Sequence, residues 1–198
     1  MDFDLTHTER LPGDIALEYG VFSGSERVVL IKSGRGGSFR GDHDKYLRMA
    51  RHLSRDRGYF VICSSNPVEC EQTFDADKRF IEFCAMQMEW SDFSLSLIGN
   101  SNGAYQNLFL AKQMPQTQKI LCINMPLMVN YHRSAAMLRS MGDVEKTLVY
   151  GTHDPSVSYL PFLERWELSR FRIVRVEGAD HNFDGRLEDF LALADLIG

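Results

Sequence analysis

Gly99-Asn100-Ser101-Asn102-Gly103 places a serine between two glycines, directly after the apolar run Leu95 to Ile98 and before a helix-length segment opening near Ala104. A serine on a sharp strand-to-helix turn presents its hydroxyl outward. Small residues two positions to either side let strand and helix approach closely. Beside a helix N-terminus, such a hydroxyl also lies where developing negative charge is favoured. The chemistry these residue types suit is nucleophilic attack, which needs a base and a group to orient it. Downstream, Leu148 to Asp154 places an aspartate just after an apolar run, and Val174 to His181 places a histidine in the turn after the next one. Asp180, adjacent to His181, is the rival acid, but neighbours in an extended loop point in different directions, so Asp180 is expected to make local hydrogen bonds.

Competing readings of the glycine-rich turn fail on spacing. A dinucleotide fingerprint needs G-x-G-x-x-G and a Walker loop ends in Lys-Ser or Lys-Thr; neither is present. His43, His52, His132 and His153 have no partner at metal-ligand spacing. Cys63, Cys70, Cys84 and Cys122 form no CxxC pair and too sparse a set for an exported disulfide scaffold, which points to reduced thiols in the cytoplasm.

The elements that must position these residues follow from periodicity. Val28 to Lys32, Tyr59 to Ser64, Leu95 to Ile98, Lys119 to Ile123, Thr147 to Tyr150 and Arg172 to Val176 are short, nearly continuous apolar runs of the kind buried on both faces of a parallel sheet. Between them, apolar residues recur at three- and four-residue spacing: Tyr46, Leu47, Ala50 and Leu53; Phe80, Ile81, Cys84, Ala85 and Met88; Tyr105, Leu108, Phe109 and Ala111; and, at the C-terminus, Leu187, Phe190, Leu191, Ala194 and Leu196. Alternation of this sort predicts one α/β domain over 1–198, a mostly parallel sheet with helices on both faces. Ile15 to Phe22 is expected to add an antiparallel edge strand. The segment around Met125, Pro126 and Asn130 reads as an insertion too brief for a separate lid.

In these features the chain resembles the α/β-hydrolase family, whose order is Ser, acid, His. The resemblance runs from about Ile15 onward and implies a small, lidless serine hydrolase with Ser101 as nucleophile, His181 as base and Asp154 orienting the imidazole. The glycine loop Lys32-Ser33-Gly34-Arg35-Gly36-Gly37 stands where the family's oxyanion loop lies, with Ser33 in place of the usual histidine. By that resemblance the oxyanion donors are the backbone N–H groups of Arg35 and Asn102. Met128, Tyr131 and Met137 become candidates for an acyl pocket, the alternative being a helix that packs its apolar face. A cleavable small ester or thioester is the expected substrate, with no metal or organic cofactor. Peptidase or acyltransferase chemistry on the same three residues, or a non-catalytic binding protein on this fold, stay open.

Charge and composition bound the partners. Lys plus Arg number 22 against 27 for Asp plus Glu, so a net charge of -5 repels a polyphosphate backbone. The cluster Arg48, Arg51, Arg55 and Arg57 is expected to be a solvated helix face. Met1 to Asp14 is acidic with no apolar block, unlike a secretory signal, and no stretch suits a bilayer. The expected partner is a small molecule, neither nucleic acid nor membrane, and the oligomeric state is not legible.

Overall fold

The computed structural model describes residues 2–166 and 169–197. Eight strands form one sheet: β1 (Leu5–Leu11), β2 (Ile15–Phe22), β3 (Ser25–Lys32), β4 (Tyr59–Ser64), β5 (Ser94–Asn100), β6 (Thr117–Ile123), β7 (Glu145–Gly151) and β8 (Phe171–Val176). Their order is β1-β2-β4-β3-β5-β6-β7-β8. β2 pairs antiparallel with β1 and β4, and every pairing from β4 to β8 is parallel. The helices are α1 (Lys45–Arg55), α2 (Phe74–Gln87), α3 (Asn102–Gln113), α4 (Leu127–Ser140), α5 (Leu160–Glu164) and α6 (Leu187–Ala192).

The central strands bury both faces, which is why they read as continuous apolar runs. Along β3, Val28 and Leu30 enter one core with residues of α2, α3, α4 and α5, while Val29 and Ile31 enter a second core with α1 and α6. Strands β4, β6 and β7 split in the same alternating way. From β3 the chain crosses to β4 on one side and then returns to β5 on the other, so the crevice at the carboxyl ends of β3 and β5 is a topological switch point, where ligands bind in open α/β sheets.

One expectation needs correction. Ile15 to Phe22 is not the edge strand, because β1 pairs along its whole length from Leu5↔Val21 to Leu11↔Ile15. Only Leu11 of β1 is buried, so a strand made of Thr, His, Glu and Arg carries no apolar signal. The segment after β6 is a helix of 14 residues, with Leu127, Ala135, Met137 and Leu138 in the core. The arginine cluster after β3 is largely a paired surface: Arg48 meets Glu188 at 2.8 Å, Arg55 meets Asp4 at 2.6 Å and Arg57 meets Asp195 at 2.6 Å. All four cysteines are free. No helix among the described residues is long and apolar enough to cross a membrane.

Candidate active site

Ser101 joins β5 to α3 with φ 52° and ψ -123°. A non-glycine residue at positive φ is strained, and such strain persists only where the surroundings over-determine it. Here the Ser101 amide donates to the Ile123 carbonyl at 2.8 Å, fastening the turn to the end of β6. The flanking glycines are required by contact: a Cβ on Gly99 would lie 2.3 Å from the Ala104 Cα, and one on Gly103 would lie 2.3 Å from the Ser33 carbonyl oxygen. Gly99 thus admits the helix against its own strand, and Gly103 admits it against the loop leaving β3.

β7 ends at Gly151, and three residues later Asp154 opens a short 3-10 turn by accepting the Ser156 amide at 2.7 Å. The Asp154 side chain is fully buried. Its other oxygen, Oδ2, accepts from His181 Nδ1, and His181 Nε2 lies 2.9 Å from the Ser101 hydroxyl. The imidazole comes from the loop between β8 and α6, and its side chain is 40% exposed. Its pKa is raised above the ordinary histidine value, chiefly because the Asp154 carboxylate accepts its Nδ1 proton, with burial opposing. Asp180 faces elsewhere, accepting the amides of Asn182 and Asp184 at 3.0 Å each, contacts that lower its pKa.

The loop after β3 runs beside this trio. Most of its amides are occupied: Ser33 donates to the Ser64 carbonyl at 3.1 Å, Gly36 to Asn66 at 2.6 Å and Gly37 to Gly34 at 2.9 Å. The Ser33 hydroxyl closes the loop by donating to the Gly37 carbonyl at 2.8 Å. The amides of Arg35 and Asn102 have no protein acceptor among the described residues, and both residues border the same cavity as Ser101. A buried amide network ties the two segments together. Asn66 Nδ2 donates to the Ser33 carbonyl and to Asn102 Oδ1, each at 3.1 Å, and Gln106 Nε2 donates to Asn66 Oδ1 at 3.0 Å. Beneath it Lys32, fully buried, meets Asp77 at 2.8 Å and donates to Ser64 Oγ at 2.9 Å. Burial lowers the Lys32 pKa, against the pull of Asp77.

The sheet that carries these residues, with its strand order and flanking helices, has counterparts among solved structures. The chain is similar over 98% of its length to 97% of an alpha-beta serine hydrolase homologue from Coxiella burnetii, with TM-score 0.73 and 19% identity. It has an α/β-hydrolase fold. An esterase domain from Rhodothermus marinus matches with TM-score 0.73 and 14% identity, over 98% of this chain and 95% of that one. A serine hydrolase without lid from Xanthomonas campestris matches with TM-score 0.66 and 21% identity, over 97% and 92%. No protein-family model matches the sequence, and neither does any curated protein.

On this hydrolase fold Ser101 stands between two clefts. One, of about 320 Å³, is bordered by His181, Asn182, Lys45 and Tyr46. The other, of about 480 Å³, is bordered by Phe74, Tyr105, Phe109, Val129, Arg35 and Arg133. Met128, Tyr131 and Met137, expected to form an acyl pocket, do not border it. Met128 is exposed, Met137 is packed in the core, and Tyr131 packs against Tyr159, Phe162 and Trp166. Helix α4 offers Val129, Asn130 and Arg133 to the cleft instead. Residue type marked the helix as apolar but not which of its faces turns inward.

Proposed function

We propose that the protein is a serine hydrolase that cleaves a small carboxylic ester or thioester through an acyl-enzyme. The observation carrying this reading is the Ser101 hydroxyl at 2.9 Å from His181 Nε2, with the opposite ring nitrogen held by buried Asp154. His181 takes the Ser101 proton as the oxygen attacks the acyl carbon. Asp154 keeps the proton of the neutral ring on Nδ1, leaves Nε2 free to accept, and stabilises the imidazolium that forms. The carbonyl oxygen, now negative, is received by the amides of Arg35 and Asn102, each worth about 3 kcal/mol in a site shielded from water. His181 then gives its proton to the departing alcohol or thiol. Water, deprotonated by the same ring, attacks the acyl-Ser101 ester and releases the acid and the serine.

The pH dependence follows from the histidine. Activity requires neutral His181, so kcat/KM rises with pH and is half-maximal at the ring's pKa. Asp154 and Asp180 raise that pKa and nearby Lys45 opposes them, so the limb is expected above the ordinary histidine value of about 6.5. Hydrolysis of a 4-nitrophenyl ester from about pH 5 to 9 checks this. A flat profile, or a limb well below the ordinary value, contradicts a histidine base paired with Asp154.

A further inference from the structure

The two clefts flanking Ser101 are not equivalent. His181 must return its proton to the departing atom, so the leaving group occupies the cleft that His181 borders. The acyl portion then extends into the other cleft, which His181 does not border. That cleft combines an aromatic wall with two guanidinium groups. Arg133 lies over the Phe109 ring, 4.6 Å from its centroid. Arg35, which borders both clefts, donates to the Val68 carbonyl at 3.2 Å. Neither pairs with a carboxylate among the described residues; Arg27 and Arg139, which lie over the Tyr59 and Trp166 rings, share that state, but neither of them borders a cleft beside Ser101. Glu71 is the carboxylate bordering the cleft, and it forms no ion pair with either arginine. In a chain of net charge -5, two guanidinium groups without carboxylate partners beside the nucleophile are a local reversal of sign.

We propose that the acyl group accepted here carries a second negative charge, so that the substrate is a half-ester or half-thioester of a dicarboxylic acid whose distal carboxylate is met by Arg133 and Arg35. This rests on the serine-hydrolase reading above. The methylene chain lies along Phe74, Phe109 and Val129, and the fork of N–H donors on each arginine suits a planar carboxylate. The test compares 4-nitrophenyl pentanoate with the mono-4-nitrophenyl ester of glutaric acid, similar in length and leaving group but differing in charge. The anionic ester is expected to have the higher kcat/KM by about tenfold or more, the value of a charge-assisted hydrogen bond. Arg133→Gln is expected to cost the anionic ester about tenfold or more in kcat/KM, through KM, and the neutral ester much less, so that most of the preference is lost. Equal kcat/KM for the two esters in the wild type, or equal losses on both in Arg133→Gln, would overturn the proposal. If the neutral ester is still cleaved in a Ser101-dependent way, the hydrolase reading survives that result. If neither ester is cleaved, both fall.

A different observation concerns the end of β6. Asn124 is fully buried at φ 46°. Its Nδ2 donates to the carbonyls of Asp180 at 3.0 Å and His181 at 2.9 Å, and its Oδ1 accepts the Gly151 amide at 3.0 Å. The preceding residue, Ile123, accepts the Ser101 amide. One carboxamide thus joins the histidine loop to the strand end that leads to Asp154, next to the anchor of Ser101. We infer that Asn124 is a positioning residue for His181. Asn124→Gly tolerates the positive φ and removes only the carboxamide. It is expected to lower kcat by about tenfold or more with KM within about threefold. It should also broaden or remove the far-downfield proton resonance of the His181–Asp154 hydrogen bond, a readout that does not depend on turnover. Asn124→Asp, which keeps the acceptor for Gly151 but sets a carboxylate oxygen against the two carbonyls, is expected to do the same. Retention of both kcat and that resonance in either folded variant would overturn the assignment.

Discussion

Replacing Asp154 with asparagine is expected to lower kcat by on the order of 10⁴ while the protein stays folded. The oxygen that accepts the Ser156 amide survives the change, so the turn after β7 keeps its cap. What changes is the partner of His181 Nδ1. An asparagine amide there donates to the ring, forces the proton onto Nε2 and leaves no lone pair to accept the Ser101 proton. Asp180→Asn is the matched control. Its carbonyl oxygen can go on accepting the amides of Asn182 and Asp184, it touches neither Ser101 nor the ring nitrogens, and kcat is expected to stay within about threefold. Steady-state kinetics on both variants, with circular dichroism to establish folding, decide between the two carboxylates. Equal losses, or the larger loss at Asp180, would assign the orienting acid wrongly.

The largest effect is expected at Ser101. Ser101→Ala removes the attacking oxygen, and the loss in kcat should be on the order of 10⁶, as when any member of a unit that acts together is deleted. The backbone does not supply an alternative explanation, since alanine at φ 52° bears much the same strain as serine does. Hydrolysis in the folded variant within about a hundredfold of wild type would mean that another group performs the attack.

The central strands and the serine turn were legible because two-faced burial leaves nearly unbroken apolar runs, and because close contacts at Gly99 and Gly103 admit nothing larger than glycine. The edge was not legible. Strand β1 faces water along most of its length, and its polar residues are held by pairing with β2 and by contacts such as Glu9 with Arg79 of α2, none of which leaves an apolar pattern. Nor was the pairing of Lys32 with Asp77 legible, because the two charges are buried against each other only when β3 and α2 have packed. For the acyl cleft, the methionines of α4 signalled an apolar helix, yet direction is set by how α4 docks, and that docking turns Val129 and Arg133 to the cavity. Asn124 gave no sign of its own. An asparagine at a strand end reads as a turn residue, and only the assembled sheet brings Asp180, His181 and Gly151 within reach of its side chain.

Covalent labelling by a fluorophosphonate probe tests the central claim most directly, because it needs the activated serine but no knowledge of the substrate. Wild-type protein is expected to gain one adduct, located by mass spectrometry on the peptide containing Ser101. Ser101→Ala is expected to gain none, and Asp154→Asn to react far more slowly. Folded wild-type protein that takes up no probe, or a Ser101→Ala variant labelled as fast as wild type, would contradict the account.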